Sequence, residues 1–456
     1  MTQKAFERVV GSPSVAIEKT LETSKHFTNS VFGHKHVKKA TDYWHALGPG
    51  LTTGAADDDP SGIATYSQAG AQYGFSLLWL AAFTFPLMAV VQEMCARIGL
   101  VTGKGLAANI RRHYPKWVLY LCTILLFGAN SLNIGADLGA MAKATQLLNP
   151  HLNFGFLLLA FTILCLALQI FTTYERYAKY LKWLALVLLS YVFSALSVNL
   201  DLTQLLKHSF LPTLSFSKDE IFIITGVLGT TISPYLFFWQ TSQEVEEEIL
   251  KGKTTEKMRL GTNEKDIKNM RTDVWSGMFL SNLVMFFIIA ACAATLFAHG
   301  IRNINTTADA ALALKPLAGD RAYLLFALGV IGTGLLAVPV LAGSASYAIS
   351  ESFGWQHGLY KKLKQANAFY GVIIISTLIG LAINFIGIDP IKALLISAVA
   401  NGMIAPLVLT LIILISSSKK IMGNWANDLI ISIIGWFVTI AMVIAGVATL
   451  FTLFVR

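Results

Sequence analysis

The sequence predicts an all-α integral membrane protein of eleven transmembrane helices, built as a 5+5 inverted repeat in which helices 1 and 6 are broken. Three observations carry that expectation. Hydrophobic residues make up 55% of the chain and charged residues 13%, with mean hydropathy +0.60, whereas soluble domains carry about 25% charged residues. Lysine and arginine collect in every second gap between apolar runs. Two of the runs are interrupted, at corresponding positions, by proline and polar residues.

Runs long enough to cross a bilayer, about 20 residues each, lie at 44–70, 75–100, 117–147, 154–172, 181–199, 219–245, 275–298, 322–350, 367–387, 392–415 and 428–454. Residues 1–42 and the gaps 97–116, 176–182, 251–271, 361–364 and 419–420 hold 27 of the 35 lysines and arginines. The alternate gaps and the C-terminus hold seven, and Lys143 lies within the third span. That alternation is the positive-inside pattern. It predicts a multi-pass protein of the cell membrane with its N-terminus cytoplasmic and its C-terminus outside, and a missed span would scramble it. The expected organisation is a cytoplasmic tail (1–42), two five-helix repeats (43–199 and 219–415) and an added eleventh helix (428–454).

A net charge of +9 in a soluble protein would suggest nucleic acid. Here the basic residues sit in loops beside apolar runs, so anionic lipid headgroups are the expected partner and nucleic acid is not. Cys95, Cys122, Cys165 and Cys292 fall in or beside apolar segments without C-x-x-C spacing, which indicates neither a disulfide framework nor a thiolate metal site. The first forty or so residues lack an apolar core, so no cleaved signal peptide is expected.

The first break, Asp57-Asp58-Asp59-Pro60-Ser61-Gly62, puts three carboxylates and a helix breaker inside an apolar span. A charge at the bilayer centre costs at least about 2.5 kcal/mol, which makes intramembrane ionisable residues functional by default. Proline and glycine also free backbone carbonyls, tolerated at that depth only where the chain lines a cavity or is buried in protein. The sixth span breaks likewise at Thr230-Thr231-Ile232-Ser233-Pro234-Tyr235. Paired interruptions in two halves point to an inverted-repeat transporter with its site at the midplane. Anionic oxygens and free carbonyls together describe a cation site. On the third span, Asn130, Asn133 and Asp137 share one helix face. For the asparagines, interhelical hydrogen bonding is a slightly better reading than a cavity lining.

These stretches resemble the Nramp divalent-metal transporters. GPGLTTGAADDDPSGIATYSQAGAQYG is similar to their first helix with its Asp-Pro-Gly-Asn motif, LGTTISPYLFFW to their sixth with Met-Pro-His, and NSLNIGADLGAM to their Thr-Asp-Leu-Ala-Glu stretch. The resemblance covers about ten spans and implies the leucine-transporter-like fold. It also implies that Asp59 is the metal-binding aspartate, that the Thr230 carbonyl takes the family's carbonyl position, and that Asp137 lies on an ion or proton route. This chain departs from the family at Gly62 for asparagine, Ser233 for methionine, Tyr235 for histidine and Ala140 for glutamate. Residues 366–391 contain no Arg or Lys where the family has an arginine pair. In these respects it resembles the family's magnesium-associated branch.

The chemistry agrees. A thioether favours softer transition metals, while carboxylate, hydroxyl and carbonyl oxygens suit Mg²⁺, Ca²⁺ and Mn²⁺. Gly62 and Ser233 also leave room for an ion that keeps waters. The expected set is therefore Asp59 as direct ligand with Thr230, Ser233 and Gly62 around it, and Asp58 one water further out. Successive helical residues point about 100° apart, which leaves Asp57 open between joining the site and capping the next half-helix. Asp137, Tyr235, Asn133 and Asn130 are expected along the transport pathway. Gln68 and Asn401 are polar singletons not expected to bind the ion directly. Glu93 and Arg97 stand at i and i+4 and should pair, and Glu244, Glu246, Glu247 and Glu248 should form a solvated face.

The reading is a non-enzymatic carrier of a hard divalent cation, Mg²⁺ or Mn²⁺, working by alternating access without proton coupling and needing no cofactor. Its oligomeric state is left open. The main alternative is a proton-coupled Mn²⁺/Fe²⁺ importer. An amino-acid carrier would have to bring a carboxylate to three aspartates, and an aspartate protease would give the paired breaks no role.

Overall fold

The computed structural model describes residues 48–172, 189–197 and 202–454. The tail at 1–42, most of the fifth span, the basic gap at 176–182 and Arg456 lie outside the described residues. There is no strand among the described residues. The helices that carry the argument are α1 (Pro49–Asp57), α2 (Pro60–Tyr73), α3 (Trp79–Thr102), α4 (Leu106–His113), α5 (Lys116–Leu148), α6 (Phe154–Phe171), α7 (Leu189–Leu196), α8 (Lys218–Thr231) and α9 (Pro234–Leu250). They continue with α10 (Glu264–Cys292), α11 (Ala322–Phe353), α12 (Asn367–Ile383), α13 (Pro390–Ser416) and α14 (Leu429–Phe454).

Eight stretches are long and apolar enough to cross a membrane, α8 and α9 counting as one. The first expected span is two helices of 9 and 14 residues, each too short alone, and the ninth is α12, with 17. Of the fifth, only α7 lies within the described residues.

Both breaks follow from local chemistry. Pro60 and Pro234 occupy the first position of α2 and α9, where a missing N–H costs nothing and the fixed φ suits a helix start. The residues before them, Asp59 and Ser233, are extended, with ψ of 173° and 133°, as proline demands of its predecessor.

Small residues hold the broken helices in place. A Cβ on Gly277 of α10 would stand 2.1 Å from the Gly50 carbonyl oxygen, and one on Gly229 of α8 would stand 2.1 Å from that of Ala398 on α13. Backbones that close need glycine, the usual device where lipid supplies no hydrophobic drive between helices. By contrast α6 and α14 are only 28% buried over their apolar windows. Phe156, Ile163, Ile430 and Phe451 point outward from them, so these helices sit at the periphery with a face for lipid.

Two charge expectations are corrected. Glu93 does not pair with Arg97. Its Oε1 accepts from Arg271 Nε at 3.0 Å and Nη2 at 2.8 Å, and its Oε2 accepts from Trp275 Nε1 at 2.8 Å. Arg97 donates to Asn427 instead. A two-pronged guanidinium bond between helices outcompetes a single i,i+4 contact. Nor is the 244–248 run a solvated face, because Glu244, Glu246 and Glu248 are buried. Glu246 accepts from the Tyr347 hydroxyl at 2.6 Å and the Leu359 amide at 2.9 Å, and Glu248 pairs with Lys251 at 3.4 Å and with Lys253. Neighbouring helices and turns supply donors that the one-dimensional pattern cannot reveal.

Candidate functional site

The two breaks meet. Asp59 caps α2, its Oδ1 accepting from the Gly62 amide at 2.7 Å and the Ser61 hydroxyl at 2.6 Å. Its Oδ2 accepts from Asn133 Nδ2 of α5 at 2.8 Å, and the Asn133 carbonyl oxygen accepts from Ser397 of α13 at 2.7 Å. The Ser61 hydroxyl lies 3.3 Å from the Thr230 hydroxyl of α8. A Cβ on Gly62 would meet the Asp57 carbonyl oxygen at 3.1 Å and Thr230 Oγ1 at 3.4 Å, so Gly62 faces the junction between the halves. Tyr66 of α2 adds a second bridge, 3.1 Å from Thr231 Oγ1.

Ser233 reaches this junction through its own half-helix. Its hydroxyl donates to the carbonyls of Gly229 at 2.5 Å and Thr230 at 2.8 Å. Those are end-of-helix carbonyls with no partner in their own turn. The Thr230 carbonyl is engaged by one donor, which leaves it a lone pair. Tyr235 donates to the Ala56 carbonyl of α1 at 2.8 Å and accepts, through its own carbonyl, from Ser344 of α11 at 2.7 Å. It ties the second break to the first half-helix.

The remaining aspartates are buried without matching donors. Asp57 Oδ2 accepts from Ser281 of α10 at 2.5 Å. Asp57 Oδ1, both oxygens of Asp58 and both of Asp137 have no hydrogen-bond partner among the described residues. Asp137 lies one turn along α5 from Asn133 and is fully buried. Buried polar atoms are almost always satisfied, and an uncompensated buried charge is strongly destabilising. Five orphaned carboxylate oxygens concentrated around one junction call for a cation, protons or water.

Not every polar residue belongs here. Asn130 donates to the Leu341 carbonyl of α11 at 2.9 Å, an interhelical bond, while its Oδ1 is buried with no partner among the described residues. Gln68 accepts from the Ile304 amide at 2.9 Å and donates to the Arg302 carbonyl at 3.2 Å, anchoring an extramembrane turn. Asn401 is buried with both amide atoms unpartnered among the described residues. Ser61, Ser281 and Ser397, which hold the key side chains, were not among the residues picked from sequence. Ser61 sits inside the break and was legible in principle, whereas Ser281 and Ser397 become relevant only through the packing of α10 and α13. Among the described residues no three histidine, cysteine or carboxylate side chains form a metal-ligand group. An ion at this junction therefore draws largely on carbonyl, hydroxyl and amide oxygens, or on water.

Known proteins agree with this architecture. The chain is similar to the manganese transporter of Eremococcus coleocola, solved in complex with an aromatic bis-isothiourea substituted compound. The TM-score is 0.68 at 16% identity, covering 92% of this chain and 88% of that one. It is similar too to Mhp1, a nucleobase-cation-symport-1 family transporter, in a closed conformation with bromovinylhydantoin bound, with TM-score 0.53, 14% identity, and 89% and 92% covered. The inward-facing conformation of Mhp1 scores 0.51 at 14% identity, with 89% and 91% covered. At these identities the likenesses show a shared overall fold. The family model described as natural resistance-associated macrophage protein-like matches residues 50–452, and the chain belongs to that family, Nramp.

Proposed function

We propose that this protein carries a hard divalent cation, Mg²⁺ or Mn²⁺, across the cell membrane by alternating access, binding it at the junction of the two breaks. The observation that supports this reading best is Asp59, a buried carboxylate held by three donors, one of which, Ser61, reaches the Thr230 hydroxyl across the two breaks, with Ser233 where the family has a thioether. In this reading Asp59 binds the ion directly. The Thr230 carbonyl and neighbouring hydroxyls complete an oxygen-rich setting suited to hard ions, and Gly62 keeps side-chain atoms out of it. Asp58 and Asp137 lend negative charge through water. The repeats 43–199 and 219–415 rock against each other around the junction, and the N-terminus lies in the cytoplasm with the C-terminus outside.

Transport proceeds without stoichiometric proton entry. Tyr235 stands in place of the family's histidine, the side chain that ordinarily titrates between pH 5 and 8. Its hydroxyl is committed to the Ala56 carbonyl. Residues 366–391 contain no Arg or Lys, and Ala140 replaces the family's glutamate. Proteoliposomes loaded with a pH dye and offered Mg²⁺, Mn²⁺ or Ca²⁺ should show metal influx with no matching acidification. Metal-stimulated acidification that disappears in Asp137→Asn would restore the proton-coupled Mn²⁺/Fe²⁺ importer as the better reading.

Asp58→Asn provides a graded test of the same site. Because neither of its oxygens has a hydrogen-bond partner among the described residues, Asp58→Asn removes the charge at nearly constant shape and breaks no such bond. The apparent KM for uptake should rise several-fold while the maximal rate falls less. An unchanged KM would remove Asp58 from the pathway.

A further inference from the structure

Far from the breaks, on the side where the basic loops gather, a cavity of about 500 Å³ opens between α4, α9 and α11. Five basic side chains line it, Lys104, Arg111, Arg112, Arg259 and Lys361, against three carboxylates, Glu246, Glu256 and Glu351. The carboxylates are already spoken for. Glu246 takes the Tyr347 hydroxyl and the amides of Leu359 and Tyr360, and Glu351 takes the Ala108 amide at 3.0 Å and the Ser242 hydroxyl at 3.2 Å. Glu256 pairs with Lys104 at 2.8 Å and lies 3.6 Å from Arg112.

The cations are not matched in the same way. Arg259 spends its donors on the carbonyls of Gly103, Lys253 and Thr254 and forms no ion pair among the described residues. Arg111 and Lys361 form no ion pair among the described residues. The basic side chains also act on two nearby groups. The Lys104 hydrogen bond, with the charges of Lys104, Arg112 and Arg259, holds the Glu256 carboxyl below its usual range. Burial, followed by the charges of Arg112, Lys420 and Lys104, depresses His113 at the end of α4. A cavity with this balance is a poor exit for a divalent cation. Its volume falls within the ordinary range for small-ligand sites, far larger than a halide needs, and guanidinium forks match phosphate oxygens in geometry as well as charge.

We propose that this cavity binds a phosphate group, carried either by a soluble phosphate or by an anionic lipid headgroup at the adjoining membrane surface. The site touches α9, the second half of the broken sixth span, together with α11 and the turn at 354–361. A bound phosphate therefore bridges elements that must separate if this side of the protein opens, and it stabilises the closed arrangement.

The test uses the full-length protein in phosphatidylcholine nanodiscs at constant ionic strength. Its melting temperature is followed in one arm against inorganic phosphate replacing chloride, and in the other with phosphatidylglycerol added to the nanodisc. The melting temperature should rise in at least one arm. In Arg111→Gln with Lys361→Gln the apparent affinity for that probe should fall about tenfold or more. Lys364→Gln, exposed and outside the cavity, should behave as wild type. A response to inorganic phosphate alone identifies a soluble ligand, and a response to phosphatidylglycerol alone identifies a headgroup. No response in either arm, or an equal response in the double variant, overturns the proposal. Should the double variant melt early in chloride, Lys361→Gln alone is compared with Lys364→Gln by the same criterion.

Discussion

Asp59→Asn should abolish metal-dependent uptake while leaving a folded protein in the membrane. The carboxylate does two things at once, capping α2 through the Gly62 amide and presenting negative charge at the junction of the breaks. Asparagine preserves the first role, since its carbonyl oxygen can still accept from Gly62 and Ser61, and it removes the second. It also turns an amide NH₂ toward the Nδ2 donor of Asn133, itself held in place by Ser397. Uptake should drop at least about 100-fold, equivalent to about 2.7 kcal/mol of lost ion stabilisation. Asp59→Ala should lose uptake to the same extent and, in addition, the cap, worth about 0.5–2 kcal/mol of stability. Measuring uptake and melting temperature together separates the roles. Near-normal uptake by a well-folded Asp59→Asn would remove the proposed ligand.

Ser233→Met combined with Gly62→Asn should move preference from Mg²⁺ toward Mn²⁺, Fe²⁺ or Cd²⁺. Methionine introduces a soft sulfur and withdraws the hydroxyl that now satisfies the Gly229 and Thr230 carbonyls, freeing the Thr230 carbonyl toward the junction. A side chain at Gly62 fits only tightly, against the Asp57 carbonyl oxygen and the Tyr66 ring at 3.3 Å. It therefore narrows the space that a partly hydrated ion would use. Each change penalises Mg²⁺ for a different reason, one by ligand softness and one by room for water. The Mg²⁺-to-Mn²⁺ uptake ratio in competition assays should fall about 10- to 100-fold, a difference of about 1–3 kcal/mol. An unchanged ratio would place discrimination in other residues.

The membrane fold and the two breaks were legible because each rests on a local rule: apolar length, alternating loop charge, and proline at a helix start. Asp59, Thr230 and Gly62, the residues proposed for the site, stand out for the same reason, lying within the interrupted segments that the structure brings together. What the sequence withheld is tertiary. Asn130 and Asn133 lie one turn apart on the same helix face, yet one bonds to a neighbouring backbone and the other to Asp59. Periodicity cannot separate them, because the difference is made by α11 and α13 packing on either side. The acidic run at 244–248 misled in the same way, since the donors that allow its burial come from Tyr347, Leu359 and Tyr360, about a hundred residues downstream.

The cap at Asp59 has a meaning for the idle half of a carrier's cycle. A transporter driven by its substrate's own gradient must return with nothing aboard, and that journey stalls if the vacated pocket collapses or leaves a bare anion in hydrocarbon. Here the backbone amide of Gly62, the hydroxyl of Ser61 and the amide of Asn133 belong to the protein and remain after release. Oδ1 is filled by its two donors, while Oδ2, bonded to Asn133 alone, keeps acceptor capacity, so an ion arriving at Oδ2 would add to the set instead of evicting it. In the carrier proposed above, the break would thereby narrow the energy gap between loaded and unloaded forms. Turnover in such a machine is governed by how evenly those two forms are matched, and only secondarily by how firmly the passenger is held.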